Sequence, residues 1–214
     1  MTVLVTMLCA TAADSGHDRV FGDGALTERR RRELSAVKAT LPPYPPALRG
    51  PSVRCAQTAA ALGIEALPEH ALRDLDHGTW DGRSAADVAA EDPHGHSVWL
   101  TDPDAVPHGG ESVRALCRRT AAWLDALPTG PGPVLTITEE SVIRAALVHA
   151  LSLPARAYRQ LEVPPASEVT LTLRDGLWSA RIGRLTVPQH RQSSDGPATV
   201  AVLTLPARRR PAIA

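Results

Sequence analysis

The stretch VLTITEESVIRAALVHAL, residues 134–151, gives the clearest indication of the fold. Its first five residues are apolar or β-branched, which predicts a buried strand over 134–138. The chain then passes through three polar residues, Glu139, Glu140 and Ser141, into a predicted helix over 142–151. A strand that runs directly into a helix is typical of α/β domains, whose sites lie at the carboxyl ends of strands.

Further elements are predicted outward from this unit in both directions. An apolar run over 2–7 predicts a second buried strand, and Asp175-Gly176 predicts the turn of a hairpin between 169–173 and 177–182. Helices are predicted over 27–40, 52–62, 84–91, 111–127 and 155–161, short strands over 47–49 and 65–67, a turn-rich segment over 72–83 and a long loop over 92–110.

This alternation predicts an α/β fold, a three-layer sandwich with a mainly parallel central sheet. We expect one domain over residues 1–183, because the chain becomes polar after Gly183. Residues 184–214 are interpreted as a C-terminal extension that is partly ordered and contributes at most one edge strand, over 200–205.

The composition limits the partners of the protein. Its 214 residues are 43% hydrophobic and 21% charged, which is typical of a globular chain. Because 23 basic and 23 acidic residues cancel and aromatics are only 3%, we expect no nucleic acid and no membrane as partners. The unclustered Cys9, Cys55 and Cys117 favour reduced thiols and a cytoplasmic location. The sequence is compatible with a monomer or a homodimer.

Several common catalytic motifs are absent from the sequence. The single lysine, Lys38, is not part of a P-loop, and no HExxH, paired CxxC or Gly-x-Ser-x-Gly occurs. No cysteine is followed six positions later by arginine, as a cysteine phosphatase requires. For His77, which lies near Asp74 and Asp76, we favour a turn-stabilising cluster over a metal site. We therefore expect no cofactor and no metal.

Five segments occur in an order that suggests a family. They are LTER (26–29), PSVRCAQTA (51–59), LRDLDHGTWDG (72–82), PHGGES (107–112) and VLTITEESVIR (134–144). Together they resemble the histidine phosphatase superfamily, with its phosphoglycerate mutase-like fold, over about residues 2–183. The resemblance supports the same α/β architecture that the pattern of strands and helices predicts.

The resemblance also implies that this chain has a degenerate active site. The family's first strand ends in Arg-His-Gly-x-Thr, and its histidine accepts the phosphoryl group; this chain has Met7-Leu8-Cys9-Ala10-Thr11 instead. The second family histidine corresponds to Glu139. Of the family's main site residues, Arg54 and an acid at Asp74 remain.

These replacements predict that the chain is neither a phosphatase nor a mutase of the family type. Leucine has no lone pair with which to attack phosphorus, and Met7 lacks the guanidinium that would bind phosphate. Glu139 places a negative charge where a phosphate dianion would lie.

Two hypotheses of function remain open. In the first, the fold has been repurposed for acid–base chemistry in small-molecule metabolism, an isomerisation, dehydration or cyclisation of a neutral or amine-bearing molecule. Glu139 and Asp74 would form a carboxylate pair with separated pKa values, and Arg54 would hold a substrate carboxylate or stabilise an enolate. The residues expected to contact the substrate are Cys9, Thr11, Glu140, His77 and His108. In the alternative, the chain is an inactive pseudophosphatase with a binding or regulatory role.

Overall fold

The computed structural model describes residues 2–10, 20–38, 47–130, 132–164, 166–184 and 201–203. The strands are β1 (Thr2–Cys9), β2 (Ala47–Arg49), β3 (Ala66–Pro68), β4 (Val134–Thr138), β5 (Ser167–Arg174), β6 (Leu177–Arg184) and β7 (Ala201–Leu203). The helices are α1 (Glu28–Lys38), α2 (Val53–Leu62), α3 (Ala85–Glu91), α4 (Pro93–Thr101), α5 (Val113–Asp125) and α6 (Glu140–Ala150). Short 3₁₀ helices cover His70–Leu72, Gly78–Trp80 and Ala155–Gln160.

The seven described strands form one mixed sheet in the order β3-β2-β4-β1-β5-β6-β7. The pairings β3–β2, β2–β4 and β4–β1 are parallel, whereas β1–β5, β5–β6 and β6–β7 are antiparallel. The predicted α/β fold is confirmed. The antiparallel share of the sheet is larger than expected, because the predicted β5–β6 hairpin joins directly alongside β1.

Helices cover both faces of the sheet and bury its side chains. Met7 of β1 belongs to an apolar cluster that includes Leu116 of α5 and Ile143 of α6. The next residue, Leu8, belongs to a second cluster that includes Leu34 of α1. Because successive side chains of a strand point to opposite faces, β1 contributes to both layers of core.

The structure corrects the sequence prediction of a loop over 92–110, because α4 occupies Pro93–Thr101. Asp92 starts this helix: its carboxylate accepts a hydrogen bond from the Gly95 amide at 2.8 Å. Pro93 follows at the first helical position, where proline is favoured. His94 and His96 therefore lie on a helix.

The predicted C-terminal extension is described only in part. Ala201–Leu203 pairs antiparallel with β6, within the range expected for an edge strand. Residues 185–200 and 204–214 lie outside the described part of the chain. Among the described residues, no helix is both long and apolar enough to cross a bilayer.

Candidate functional site

The carboxyl ends of three parallel strands meet at one edge of the sheet. Cys9 of β1 lies beside Thr138 of β4, and the Ala10 amide donates to the Thr138 carbonyl at 2.8 Å. The Gly50 amide, just after β2, donates to the carbonyl of Ile137 at 2.9 Å. This convergence was expected from the sequence, and it places Glu139 beside the start of α2.

Glu139 and Arg54 form a buried ion pair at this edge. Arg54 Nη1 donates to Glu139 Oε2 at 3.0 Å, and the two side chains are only 12% and 4% exposed. Glu139 occupies the N-cap position of α6, yet its carboxylate makes no capping bond to that helix. It reaches across to the first turn of α2 instead.

Two residues that the sequence analysis did not select complete the contacts of Glu139. The Ser52 hydroxyl donates to Glu139 Oε1 at 2.8 Å, and Cys55 Sγ lies 3.6 Å from the same oxygen. Ser52 also accepts a hydrogen bond from the Cys55 amide at 3.0 Å, so it caps α2. The sequence could have indicated both residues by their position, because they lie at the start of the same helix as Arg54.

The other two guanidinium nitrogens of Arg54 also donate, each to a backbone oxygen. Its Nη2 donates to the Gly22 carbonyl at 2.9 Å and its Nε to the Gly24 carbonyl at 3.4 Å. The intervening Asp23 accepts a hydrogen bond from the Val53 amide at 2.7 Å. Each guanidinium nitrogen is thus engaged by a protein atom.

Asp74 lies close enough to Glu139 to influence its proton affinity. Asp74 Oδ1 accepts hydrogen bonds from the Leu75 amide, at 2.8 Å, and from the Ser141 hydroxyl. Burial, and next the negative charge of Asp74, raise the pKa of Glu139 to about 7 against the opposing effects of Arg54 and Ser52. The carboxyl group of Glu139 is therefore poised to exchange a proton near neutral pH.

Glu140 has a partner on its own helix. It forms an ion pair with Arg144, one turn further along α6. The Arg144 guanidinium lies 5.8 Å from the centroid of the Tyr158 ring. Glu140 was expected to contact a substrate, and that contact stays a prediction; its ion pair adds Arg144 as a second cation near the site.

The end of β1 presents no imidazole in the described structure. Met7 and Leu8 are fully buried, and Cys9 is buried beside them. Leu8 shares its apolar cluster with Cys55 and Ile137. Thr11, expected to contact a substrate, lies outside the described residues.

His77 and His108 belong to a buried aromatic cluster. The His77 ring lies 4.9 Å from that of Phe21, and the His108 ring lies 5.1 Å from that of Trp80. His108 Nδ1 accepts a hydrogen bond from the Gly110 amide at 3.0 Å. Burial and the nearby His77 lower the pKa of His108, which favours its neutral form. The expected contact of these histidines with a substrate stays a prediction.

A model of the Histidine phosphatase superfamily (branch 1) matches residues 17–183, and the chain belongs to that family. The fold and the converging strand ends agree with this membership.

Curated relatives match part of the chain. The Bifunctional protein Rv2228c of Mycobacterium tuberculosis (strain H37Rv) is 31% identical over 127 residues, which cover 58% of this chain and 35% of that protein. Phosphoserine phosphatase 1 of Hydrogenobacter thermophilus is 24% identical over 110 residues, which cover 48% of this chain and 52% of that protein. The chain thus spans about a third of the length of the mycobacterial relative.

Solved structures show the same fold. Mycobacterial glucosyl-3-phosphoglycerate phosphatase Rv2419c superposes with a TM-score of 0.71 at 22% identity, covering 84% of this chain and 97% of that one. The alpha-ribazole phosphatase of Shigella flexneri superposes with a TM-score of 0.65 at 18% identity, covering 83% and 93%. At such identities the likeness establishes the fold alone.

Proposed function

We propose that this member of the family does not transfer phosphate and performs acid–base chemistry on a neutral or amine-bearing small molecule. The observation that carries the proposal is the buried ion pair of Arg54 and Glu139. In a phosphatase of this fold, a cationic guanidinium at this place would be free to bind phosphate. Here a carboxylate of the protein takes that position.

Electrostatics argue against phosphate at this pocket. Two unit charges of like sign about 4 Å apart repel by roughly 4 kcal/mol at an effective dielectric near 20. A phosphate beside Arg54 would also lie beside Glu139 and close to Asp74. The residues that the family resemblance places at the two histidine positions, Leu8 and Glu139, supply no imidazole nucleophile.

Glu139 and Asp74 have different roles in this proposal, proton transfer and ligand binding. Glu139, with a pKa near 7, is matched to proton transfer at neutral pH. Asp74 uses Oδ1 for its hydrogen bonds, and within the described part of the chain Oδ2 is not engaged. We therefore assign Asp74 to the binding of an amine or hydroxyl group of the ligand. Arg54 acts on Glu139 instead of clamping the substrate.

A second candidate function is binding or regulation without catalysis. The observation that favours it is that each guanidinium nitrogen of Arg54 already donates to a protein oxygen, of Glu139, Gly22 or Gly24. A site whose charged groups satisfy one another is well suited to structural support of a pocket. The names of the relatives make phosphatase activity the competing expectation.

Phosphate chemistry is tested first. We expect no turnover of p-nitrophenyl phosphate or of phosphorylated sugars and acids, and no sub-millimolar binding of phosphate or vanadate by calorimetry at neutral pH. The matched control is Arg54→Ala, which removes the inherited guanidinium. Turnover or sub-millimolar binding that disappears in Arg54→Ala would contradict the proposal.

A ligand screen distinguishes the two candidate functions, enzyme and binding protein. Thermal-shift measurements with panels of small amines, polyols and phosphate esters should identify stabilising ligands among the first two classes. Each ligand is then incubated with the protein and followed by mass spectrometry and NMR. Conversion that stops in Glu139→Gln, while binding persists, supports the enzyme; binding lost in Asp74→Asn without any conversion supports the binding protein.

A further inference from the structure

We infer that the Ser52 hydroxyl is a positioning group for Glu139 and stabilises its ionised form at Oε1, the oxygen that exchanges a proton. The inference rests on the proposed proton-exchanging role of Glu139.

The hydroxyl of Ser52 both accepts and donates a hydrogen bond. A hydroxyl has one proton to donate and lone pairs with which to accept. Ser52 Oγ accepts from the Cys55 amide at 3.0 Å, which caps α2, and donates its proton to Glu139 Oε1 at 2.8 Å. The helix cap thus fixes the oxygen that supports the carboxylate.

The other carboxyl oxygen is unavailable for a proton. Glu139 Oε2 accepts from Arg54 Nη1 at 3.0 Å, and a guanidinium remains protonated at any physiological pH. A proton taken up by Glu139 therefore resides on Oε1, on the side of Ser52. Oε1–H then donates to Ser52 Oγ, and the hydroxyl proton of Ser52 turns away while the bond from the Cys55 amide is kept.

Groups from each neighbouring element act on this equilibrium. On α2, Arg54 and the Ser52 hydroxyl favour the ionised carboxylate, whereas the Cys55 thiol is buried and neutral beside it. Asp74, in the loop after the first 3₁₀ helix, favours the protonated form together with burial. Since these effects oppose one another, loss of the single Ser52 donor changes the balance measurably.

The chain contains a matched control for the capping role. Ser84, at the start of α3, accepts from the Asp87 amide at 3.0 Å and donates to the Asp87 carboxylate at 2.7 Å. Ser84 thus also caps a helix and donates to a carboxylate, but that carboxylate belongs to the same helix, and its exposed hydrogen bonds do not involve Glu139. Ser84→Ala therefore removes a cap and a carboxylate donor without touching the site.

The titration of Glu139 is the direct readout. Protein labelled with ¹³C at the glutamate carboxyls is titrated by NMR, and the Glu139 signal is assigned by its loss in Glu139→Gln. We expect Ser52→Ala to raise the midpoint by about one pH unit, because a donor to the ionised form is removed. Ser52→Thr should keep the Glu139 midpoint at its wild-type value. Ser84→Ala should not change the Glu139 midpoint.

Three outcomes would overturn the inference: an unchanged midpoint in Ser52→Ala, an equal shift in Ser84→Ala, or no restoration by Ser52→Thr. If Ser52→Ala does not fold, Ser52→Gly provides the same test, since glycine is a tolerable N-cap without a hydroxyl. The titration needs no substrate. Phosphatase turnover would refute the proposed function and leave this test standing, whereas an unmoved midpoint would refute only the role of Ser52.

Discussion

The ion pair of Arg54 and Glu139 combines a high cost of burial with close complementarity. Removing two charges from water costs several kcal/mol, and their attraction offsets this only when further hydrogen bonds satisfy both groups. Here Ser52 supports the carboxylate, and the carbonyls of Gly22 and Gly24 support the guanidinium. We therefore expect the pair to fix how the start of α2 meets the start of α6 more than to add to stability.

The raised pKa of Glu139 predicts a distinct pH dependence of stability. A group whose folded pKa rises from its ordinary value of 4.5 to about 7 contributes stability that is present below pH 4.5 and is lost as the pH rises through 7. We expect the free energy of unfolding of the wild type, minus that of Glu139→Gln, to grow as the pH falls from about 8 to about 5. The total change is up to about 3 kcal/mol.

Urea denaturation across this pH range measures the effect. The exposed Glu162→Gln is the control, and its difference from the wild type should not follow the same profile. A flat difference for Glu139→Gln would show that the carboxyl is ionised throughout the range.

At the scale of single residues, the sequence identified the charged members of the site but not their supports. Arg54, Asp74 and Glu139 were selected, and the structure brings them together. Ser52 was not selected, because its bond to Glu139 joins residues 87 positions apart and depends on side-chain direction. Glu140 and Arg144 have the four-residue spacing that pairs side chains on a helix, but the predicted helix began at residue 142 and left Glu140 out, whereas α6 begins at Glu140.

At the scale of elements, two loops cross in close backbone contact and hold the segment that carries Asp74. The Thr79 amide donates to the His108 carbonyl, and the Glu111 amide donates to the Asp76 carbonyl, both at 2.9 Å. Gly110 lies at the crossing, where an added Cβ would come within 2.2 Å of the Asp76 oxygen. No side chain fits there without movement of the backbone.

Gly110→Ala should therefore destabilise the protein by about 2 kcal/mol or more, because backbone atoms cannot yield as a flexible side chain can. Gly130→Ala is the control, since a Cβ at that position meets nothing within 4 Å. Thermal unfolding of both variants gives the comparison. Equal melting temperatures would mean that the crossing relaxes at little cost.

Elements with strong periodicity or clear turn residues were predictable from the sequence, whereas α4 was not. The β5–β6 hairpin follows from Asp175-Gly176, both of which have positive φ, as the two-residue turn requires. For 92–110, the glycine and the polar residues suggested a loop. The sequence features that do predict α4 are Asp92, which caps the helix, and Pro93, which occupies its first position. They are more informative here than the glycine and polar residues.

At the scale of the whole molecule, the sheet combines a parallel half, which forms the site, with an antiparallel half at its far edge. The described part of the extension after Arg184 is β7, which pairs with β6 over three residues, Ala201–Leu203. Two strands, β5 and β6, lie between this edge strand and β1, whose end contributes to the site.

Truncation after Arg184 should leave a soluble domain that melts cooperatively, because β7 pairs over only three residues at the sheet edge. Calorimetry of the truncated chain beside the full chain measures this, together with the Glu139 titration midpoint, which should not move. Loss of the cooperative transition would show that the extension is integral to the domain.

The ion pair also has an evolutionary consequence. Loss of Arg54 alone would leave the buried carboxylate of Glu139 without its cationic partner, which is strongly destabilising. The dependence runs in one direction, because the family resemblance places arginine at position 54 beside histidine at position 139. A lineage that descends from this protein is therefore expected to substitute position 139 before it can substitute position 54.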